Sequence, residues 1–192
     1  EDGTRKNLEF LKEHILEFDL LILLGDLHYK WGDILDEMGE ALEPVAAIRP
    51  VMVLPGNHEW QKQDDLGFHA FNTRWRMPAN GYLNQWYSFN LGNIHFVALS
   101  TEDSLEVTSK QGRWLIADMK AASERNDWTV LLAHKTPIGS ADKKWFNKGK
   151  ARLLYEDLQA FLQPFSIKLG LFGHIHMYER THPIDGVTYV TA

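Results

Sequence analysis

Two histidines at alternate positions, His174 and His176, follow directly on the apolar run 169–172 and Gly173. Neutral imidazoles are nitrogen donors for first-row transition metals, and two that leave a sharp turn in different directions can serve two adjacent ions, one each. Taken alone, such a pair reads more readily as two polar loop histidines. Three further clusters stand with it: Gly25-Asp26-Leu27-His28-Tyr29, Gly56-Asn57-His58-Glu59 and His134. Metal-assisted hydrolysis at a two-ion site needs a carboxylate to bridge the cations, and nitrogen and oxygen donors to complete each shell. The ions themselves sit ~3.5–4 Å apart. Asp26, Asn57, His134, His174 and His176 are the right chemical types, and their mixture of carboxylate, amide and imidazole favours Fe, Mn or Zn over calcium. The chain holds no cysteine, which excludes disulfides and thiolate metal sites.

What must position these groups is a repeating pattern of helix, apolar strand and turn. Residues 7–18 carry apolar side chains at helical spacing and predict a covering helix. Residues 19–24 form a nearly unbroken apolar run, the pattern of a parallel strand buried on both faces, and it runs into Gly25-Asp26. A second helix is expected over 34–48, kinked or split at Pro44. The strand 51–54 then runs into Gly56-Asn57. Residues 61–85 read as an ordered, aromatic-rich loop region with short helical turns. Strands over 86–89 and 94–99, joined through Asn90-Leu91-Gly92-Asn93, predict a hairpin. His95, inside its second strand, reads as a satisfied core histidine. A helix over 110–123, a strand over 128–133 ending at His134, a helix over 153–165, a strand over 167–172 and a last strand from 187 to 190 complete the pattern. In open α/β sheets, ligands bind beyond the carboxyl ends of the parallel strands. Four strands here, ending near Leu24, Leu54, Ala133 and Phe172, each deliver a metal-ligand type within five residues.

Length and composition bound the answer further. At 192 residues and 44% hydrophobic, the chain is most simply one globular domain with a real core. Its 26 acids and 20 bases are interspersed, for a net charge of −6, so the electrostatic footprint of a nucleic-acid binder is missing. No run approaches the ~20 apolar residues needed to cross a membrane.

The ordered set Gly25-Asp26-x-x-Tyr29, Gly56-Asn57-His58-Glu59, His134 and Gly173-His174-x-His176 resembles the motif series of calcineurin-like metallophosphoesterases. Tyr29, the run from His176 to Thr181, and the stretches Trp86-Tyr87-Ser88-Phe89 and 95–101 are similar to the purple acid phosphatase branch in particular. The resemblance covers nearly the whole chain. It implies an α/β fold, a sandwich of two mixed β-sheets flanked by helices, with the metal site at the C-terminal ends of the central strands. Carried over position by position, it implies that Asp26 bridges two ions, that Tyr29 and His176 bind the first, and that Asn57, His134 and His174 bind the second. His58 would face the phosphoryl oxygens or the leaving group. A Tyr29 phenolate on ferric iron, paired with Zn, Mn or a second Fe, would give a coloured centre. The bland readings are a packed loop aromatic for Tyr29, a helix cap for Asp26, a turn residue for Asn57 and a core histidine for His134.

Two departures from the family pattern stand out. The family's Asp-x-Gly strand ahead of the first helix has no counterpart, because residues 1–3 read Glu-Asp-Gly, and the first ion thereby lacks one carboxylate. This leads us to expect residues 1–192 to be a single catalytic domain truncated at both ends, with Asp2 or Glu1 substituting as the lesser alternative. The loop 135–150 contains no histidine, where purple acid phosphatases often place substrate-facing ones. Lys135, Lys143, Lys144 and Lys148 could meet phosphate there, or form a solvated face.

The expected function is hydrolysis of phosphate monoesters by a metal-bound hydroxide, with Asp26 and His58 as the catalytic side chains. A phosphodiesterase of the same superfamily, a non-catalytic binding domain with a depleted site, and an amide-cleaving dinuclear hydrolase are the alternatives. A small phosphate ester is the expected partner, with neither nucleic acid nor membrane, and the resemblance implies an extracellular or periplasmic setting. Glu59, His28 and His69 are candidates for the rim or support of the site. His182 reads as structural and His14 as solvent-facing on the first helix.

Overall fold

The computed structural model describes residues 2–29, 34–60, 67–125, 127–140 and 149–192. In chain order the elements are α1 (Asp2–Glu13), β1 (Leu21–Leu23), α2 (Ile34–Ala46), β2 (Val51–Val53), α3 (His69–Arg74), β3 (Tyr87–Leu91) and β4 (Ile94–Leu99). They continue with α4 (Lys110–Glu124), β5 (Trp128–Lys135), α5 (Lys150–Leu162), β6 (Leu169–Gly173), β7 (Glu179–Arg180) and β8 (Thr188–Thr191).

Side chains alternate between the two faces of a strand, and here both faces are apolar, so each central strand feeds two cores. On one side Val97, Leu99, Leu131 and Ala133 meet Leu115 and Met119 of α4 and Leu158, Phe161 and Leu162 of α5. On the other, Phe96, Ala98, Val130 and Leu132 meet Leu20, Ile22, Leu24, Met52 and Leu54, which come from β1, β2 and their flanks. A third cluster of Leu27, Val53, Phe68 and Phe71 closes the far face of β1 and β2. Each of these large side chains contributes about 1.5–3 kcal/mol when fully buried.

Two sheets therefore lie face to face with helices outside. Among the described residues, β1 and β2 pair in parallel, Leu21 opposite Val51. The larger sheet has the order β3-β4-β5-β6-β8-β7. It is mixed: β4, β5, β6 and β8 run parallel, with β3 and β7 antiparallel at its edges. The hairpin between β3 and β4 turns at Gly92-Asn93, with Gly92 at φ 60°. All of the apolar strands expected from the sequence are present.

The differences lie at element ends. α1 begins and ends about five residues early, because the chain turns at His14, whose carbonyl accepts from the Glu17 amide at 2.9 Å. His14 thus falls past the helix, half-buried, with its ring 4.1 Å from that of Phe10 and Nδ1 2.8 Å from Glu17. α2 runs through Pro44 without splitting, since a proline in the last turn removes one hydrogen bond only. α5 starts three residues early, after Gly149 at φ 74°. His95 is the satisfied core histidine the pattern implies, with Nε2 2.8 Å from Asp118 Oδ2 and Nδ1 2.6 Å from Asn90 Oδ1.

Candidate metal centre

His134 sits where β5 leaves its register with β6. Ala133 pairs with Phe172 and Lys135 with Gly173, so His134 is the extra residue of a bulge. Bulges re-aim a side chain near the end of a ladder. Here the ring turns toward β1, and Nδ1 lies 2.6 Å from the Leu24 carbonyl. A carbonyl oxygen only accepts, so Nδ1 carries the proton and Nε2 presents its lone pair to the interior.

Three other donor atoms surround that Nε2. Asp26 Oδ2 lies at 3.1 Å, Asn57 Oδ1 at 3.2 Å and His174 Nδ1 at 3.2 Å. The donor atoms of Asp26, His134 and His174 are all within 4.8 Å of one another. One proton could join His134 to one of these neighbours and would leave the other lone pairs opposed. A single cation satisfies all of them. Ligands about 2.0–2.2 Å from an ion stand about 2.9–3.5 Å apart at right-angled to tetrahedral geometry, and the three separations from His134 Nε2 fall in that interval. The residues fit a metal.

The backbone gives up regular geometry to make this convergence. Asp26 has φ 54° and His174 φ 70°, in the left-handed region that non-glycine residues seldom enter. The Ile175 amide donates to the Gly173 carbonyl at 2.8 Å, which makes His174 the centre of a tight three-residue turn. The turn thus falls on His174 itself, where the sequence points to Gly173. Gly25, at φ 85°, lies so close to the second loop that a Cβ there would stand 2.6 Å from the Gly56 amide nitrogen. A Cβ on Gly56 would strike Asp26 in turn. No side chain fits at either position, and this lets the Asp26 and Asn57 loops touch.

Glu59 clamps the two loops. Its carboxylate is buried and accepts from the amides of Asp26 and Leu27 at 2.8 Å and of Gly56 at 2.6 Å. Burial pushes its carboxyl up, an effect the Gly56 N–H opposes. The buried His28 ring lies 3.8 Å away. Both residues are supports, and neither lies on a substrate rim. Glu59→Gln would turn an amide N–H against a backbone N–H, at about 1–3 kcal/mol for the unsatisfied group. We expect a Tm lowered by several degrees and metal affinity reduced about 10–100-fold, read by thermal unfolding and metal titration.

At Asp26 burial alone would raise the carboxyl. When His134 takes a second proton on Nε2, its hydrogen bond and field, together with the His58 amide and ring, outweigh it and hold the group below the ordinary value, and a cation would take that proton's place. The His58 amide donates to Asp26 Oδ1 at 2.9 Å, and its ring lies 4.6 Å from that of Tyr29. Tyr29 and His176 meet each other instead of joining the four donors, with the phenol oxygen 2.9 Å from Nε2. Tyr29 is 55% exposed. Desolvation, then the charges of Asp26 and Glu59, raise its pKa, a field that only a cation nearby would reverse.

The remaining candidates lie elsewhere. Lys135 is neither solvated nor free for an anion: Nζ is 2.6 Å from Glu102 Oε1, with both side chains largely buried. Lys143, Lys144 and Lys148 lie outside the described residues. His69 is exposed at the start of α3, and His182 is exposed after β7. The sequence gives no sign of the Leu24 carbonyl that sets the His134 tautomer, because every residue has one. Nor does it show the Lys135–Glu102 pair, whose partners are 33 positions apart.

The family model for calcineurin-like phosphoesterases matches residues 1–178, and the chain belongs to that family. Purple acid phosphatase 21 of Arabidopsis thaliana is 33% identical over 192 residues, which cover 95% of this chain and 43% of that protein. A further relative, probable inactive purple acid phosphatase 27 of the same plant, is 26% identical over 95% of this chain and 32% of its own length. The structure of purple acid phosphatase PPD1 from yellow lupin (Lupinus luteus) seeds has the same fold. Its TM-score is 0.86 at 24% identity, covering 98% of this chain and 39% of that one. The chain spans less than half the length of these relatives. The fold class and the purple acid phosphatase resemblance expected from the motifs both hold.

Proposed function

We propose that this chain forms the catalytic part of a purple acid phosphatase-like enzyme that binds two metal ions and hydrolyses phosphate monoesters. The observation that carries the reading is the convergence of Asp26, Asn57 and His174 on the unprotonated nitrogen of His134. In this reading Asn57, His134 and His174 would hold one ion and Tyr29 and His176 the other, with the Asp26 carboxylate available to both. When bound, the ions would lower the pKa of water and neutralise charge on the phosphoryl oxygens. The protein's own contributions follow from its geometry. The Leu24 carbonyl holds His134 in the tautomer that offers Nε2. Glu59 keeps the Asp26 and Asn57 loops in contact. His58, anchored through its amide and resting on Tyr29, is placed to hold a proton for the departing ester oxygen. An extracellular or periplasmic setting belongs to the same proposal.

Metal analysis together with turnover tests this. After loading with Fe, Mn or Zn, the purified full protein is expected to hold two ions per chain and to cleave para-nitrophenyl phosphate faster than bis(para-nitrophenyl) phosphate. Faster cleavage of the bis-ester would make it a phosphodiesterase. Fewer than two ions and no turnover would favour a non-catalytic binding domain, a reading that the relative named as inactive keeps in play.

A further inference from the structure

Two connections tie Lys135 to the histidines of the metal centre. Along the chain it follows His134, and across the sheet it stands opposite Gly173, the residue before His174. The bulge leaves His134 without a partner in β6, between the paired positions Ala133 and Lys135. On its other side the ladder with β4 ends at Leu99 and Ala133, two residues short of Lys135. Where Lys135 is held therefore sets how the bulge opens and where the His134 ring points.

What holds Lys135 is a closed ring of hydrogen bonds with the loop that follows β4. Its amide donates to Thr101 Oγ1 at 3.3 Å, and that hydroxyl donates to Glu102 Oε1 at 3.4 Å. The same carboxylate oxygen takes Lys135 Nζ at 2.6 Å. The Lys135 and Glu102 side chains are only 18% and 15% exposed, so water does not readily replace either partner. The loop has its own anchor on α4. The buried Gln111 side chain accepts from the Ser100 amide at 2.8 Å and donates to the Ser100 carbonyl at 3.0 Å. A loop fixed at both ends is a rigid reference for a bulge whose own ladder bonds are interrupted.

We propose that Thr101 and Glu102 are positioning residues for the metal centre. Through Lys135 they hold the β5 bulge at the angle that brings His134 Nε2 onto the donors of Asp26, Asn57 and His174. This rests on the metal-binding reading of the site. It assigns the buried Glu102–Lys135 pair to the aim of a ligand, whereas a purely stabilising pair would leave metal affinity untouched.

Zinc titration of the purified full protein, together with the visible spectrum of its cobalt(II) form, tests this. Glu102→Gln keeps the shape and removes the charge, and zinc affinity should fall at least about tenfold, as it does when a group behind a metal ligand is lost. Thr101→Val removes the hydroxyl and leaves the ion pair, and should weaken zinc binding about three- to tenfold. Both should shift the cobalt bands, which report the angles between ligands. The double variant Glu102→Gln/Lys135→Met leaves no charge unpaired and should bind zinc as weakly as Glu102→Gln alone. A lowered Tm with zinc affinity and cobalt bands unchanged, or full affinity in the double variant, overturns the proposal. If zinc binds and no ester is cleaved, the phosphatase reading fails and this test stands. If the unaltered protein binds no metal, the metal-binding reading fails, and nitrogen NMR of the His134 ring decides its aim directly. A single Nδ1–H tautomer in the unaltered protein that becomes a mixture in Glu102→Gln supports the positioning role. An unchanged tautomer overturns it.

Discussion

Asp26→Asn should lower kcat/KM about a thousandfold and reduce bound metal to less than one ion per chain. The size follows from the several kcal/mol of charge stabilisation a metal contributes, at 1.36 kcal/mol per factor of ten. The cause is local and specific. Asn is isosteric, and its oxygen could still accept the His58 amide that Asp26 Oδ1 accepts now. Its nitrogen, however, would face His134 Nε2, where Asp26 Oδ2 stands at 3.1 Å, and would donate to it. That hydrogen bond consumes the lone pair meant for an ion and closes the donor cage from within. Apo stability should therefore be unchanged or higher while metal binding collapses, a combination that misfolding cannot produce. Metal analysis and thermal unfolding on the same preparation check it, and unchanged metal content with unchanged turnover would remove Asp26 from the site.

His58→Ala should behave differently, costing turnover while the metal stays. The anchor to Asp26 runs through the His58 backbone amide, which alanine keeps, so the donor atoms should not move. What is lost is a ring able to give a proton to the leaving oxygen, an effect of about a hundredfold or more. The loss should scale with the need for that proton. It should be about tenfold for para-nitrophenyl phosphate, whose leaving group departs readily as an anion, and about a hundredfold or more for an alkyl phosphate. An equal loss for both esters would make the ring a binder of phosphoryl oxygens instead of a proton donor. Loss of metal would make it part of the metal cage.

Much of this protein was legible in its residues. Apolar runs of four to six residues, bounded by glycine and polar clusters, predicted the parallel strands, because a strand buried on both faces leaves no polar alternation in its sequence. The donors followed for the same reason, since each stood just past such a run, where parallel strands deliver ligands. Helix ends were less legible. The turn at His14 and the early start of α5 after Gly149 depend on local hydrogen bonds that periodicity does not register.

The sequence by itself determined which chemical groups meet: Asp26, Asn57, His134 and His174, in a family whose motifs carry them in that order. Only the tertiary structure decided how they meet. It aims His134 by a bulge, sets its tautomer through the Leu24 carbonyl, and commits Glu59 to backbone amides and Lys135 to Glu102. Residue types and their order are local properties of the chain. The direction of a lone pair and the pairing of a charge arise between segments tens of residues apart, and they exist only once packing has brought those segments together.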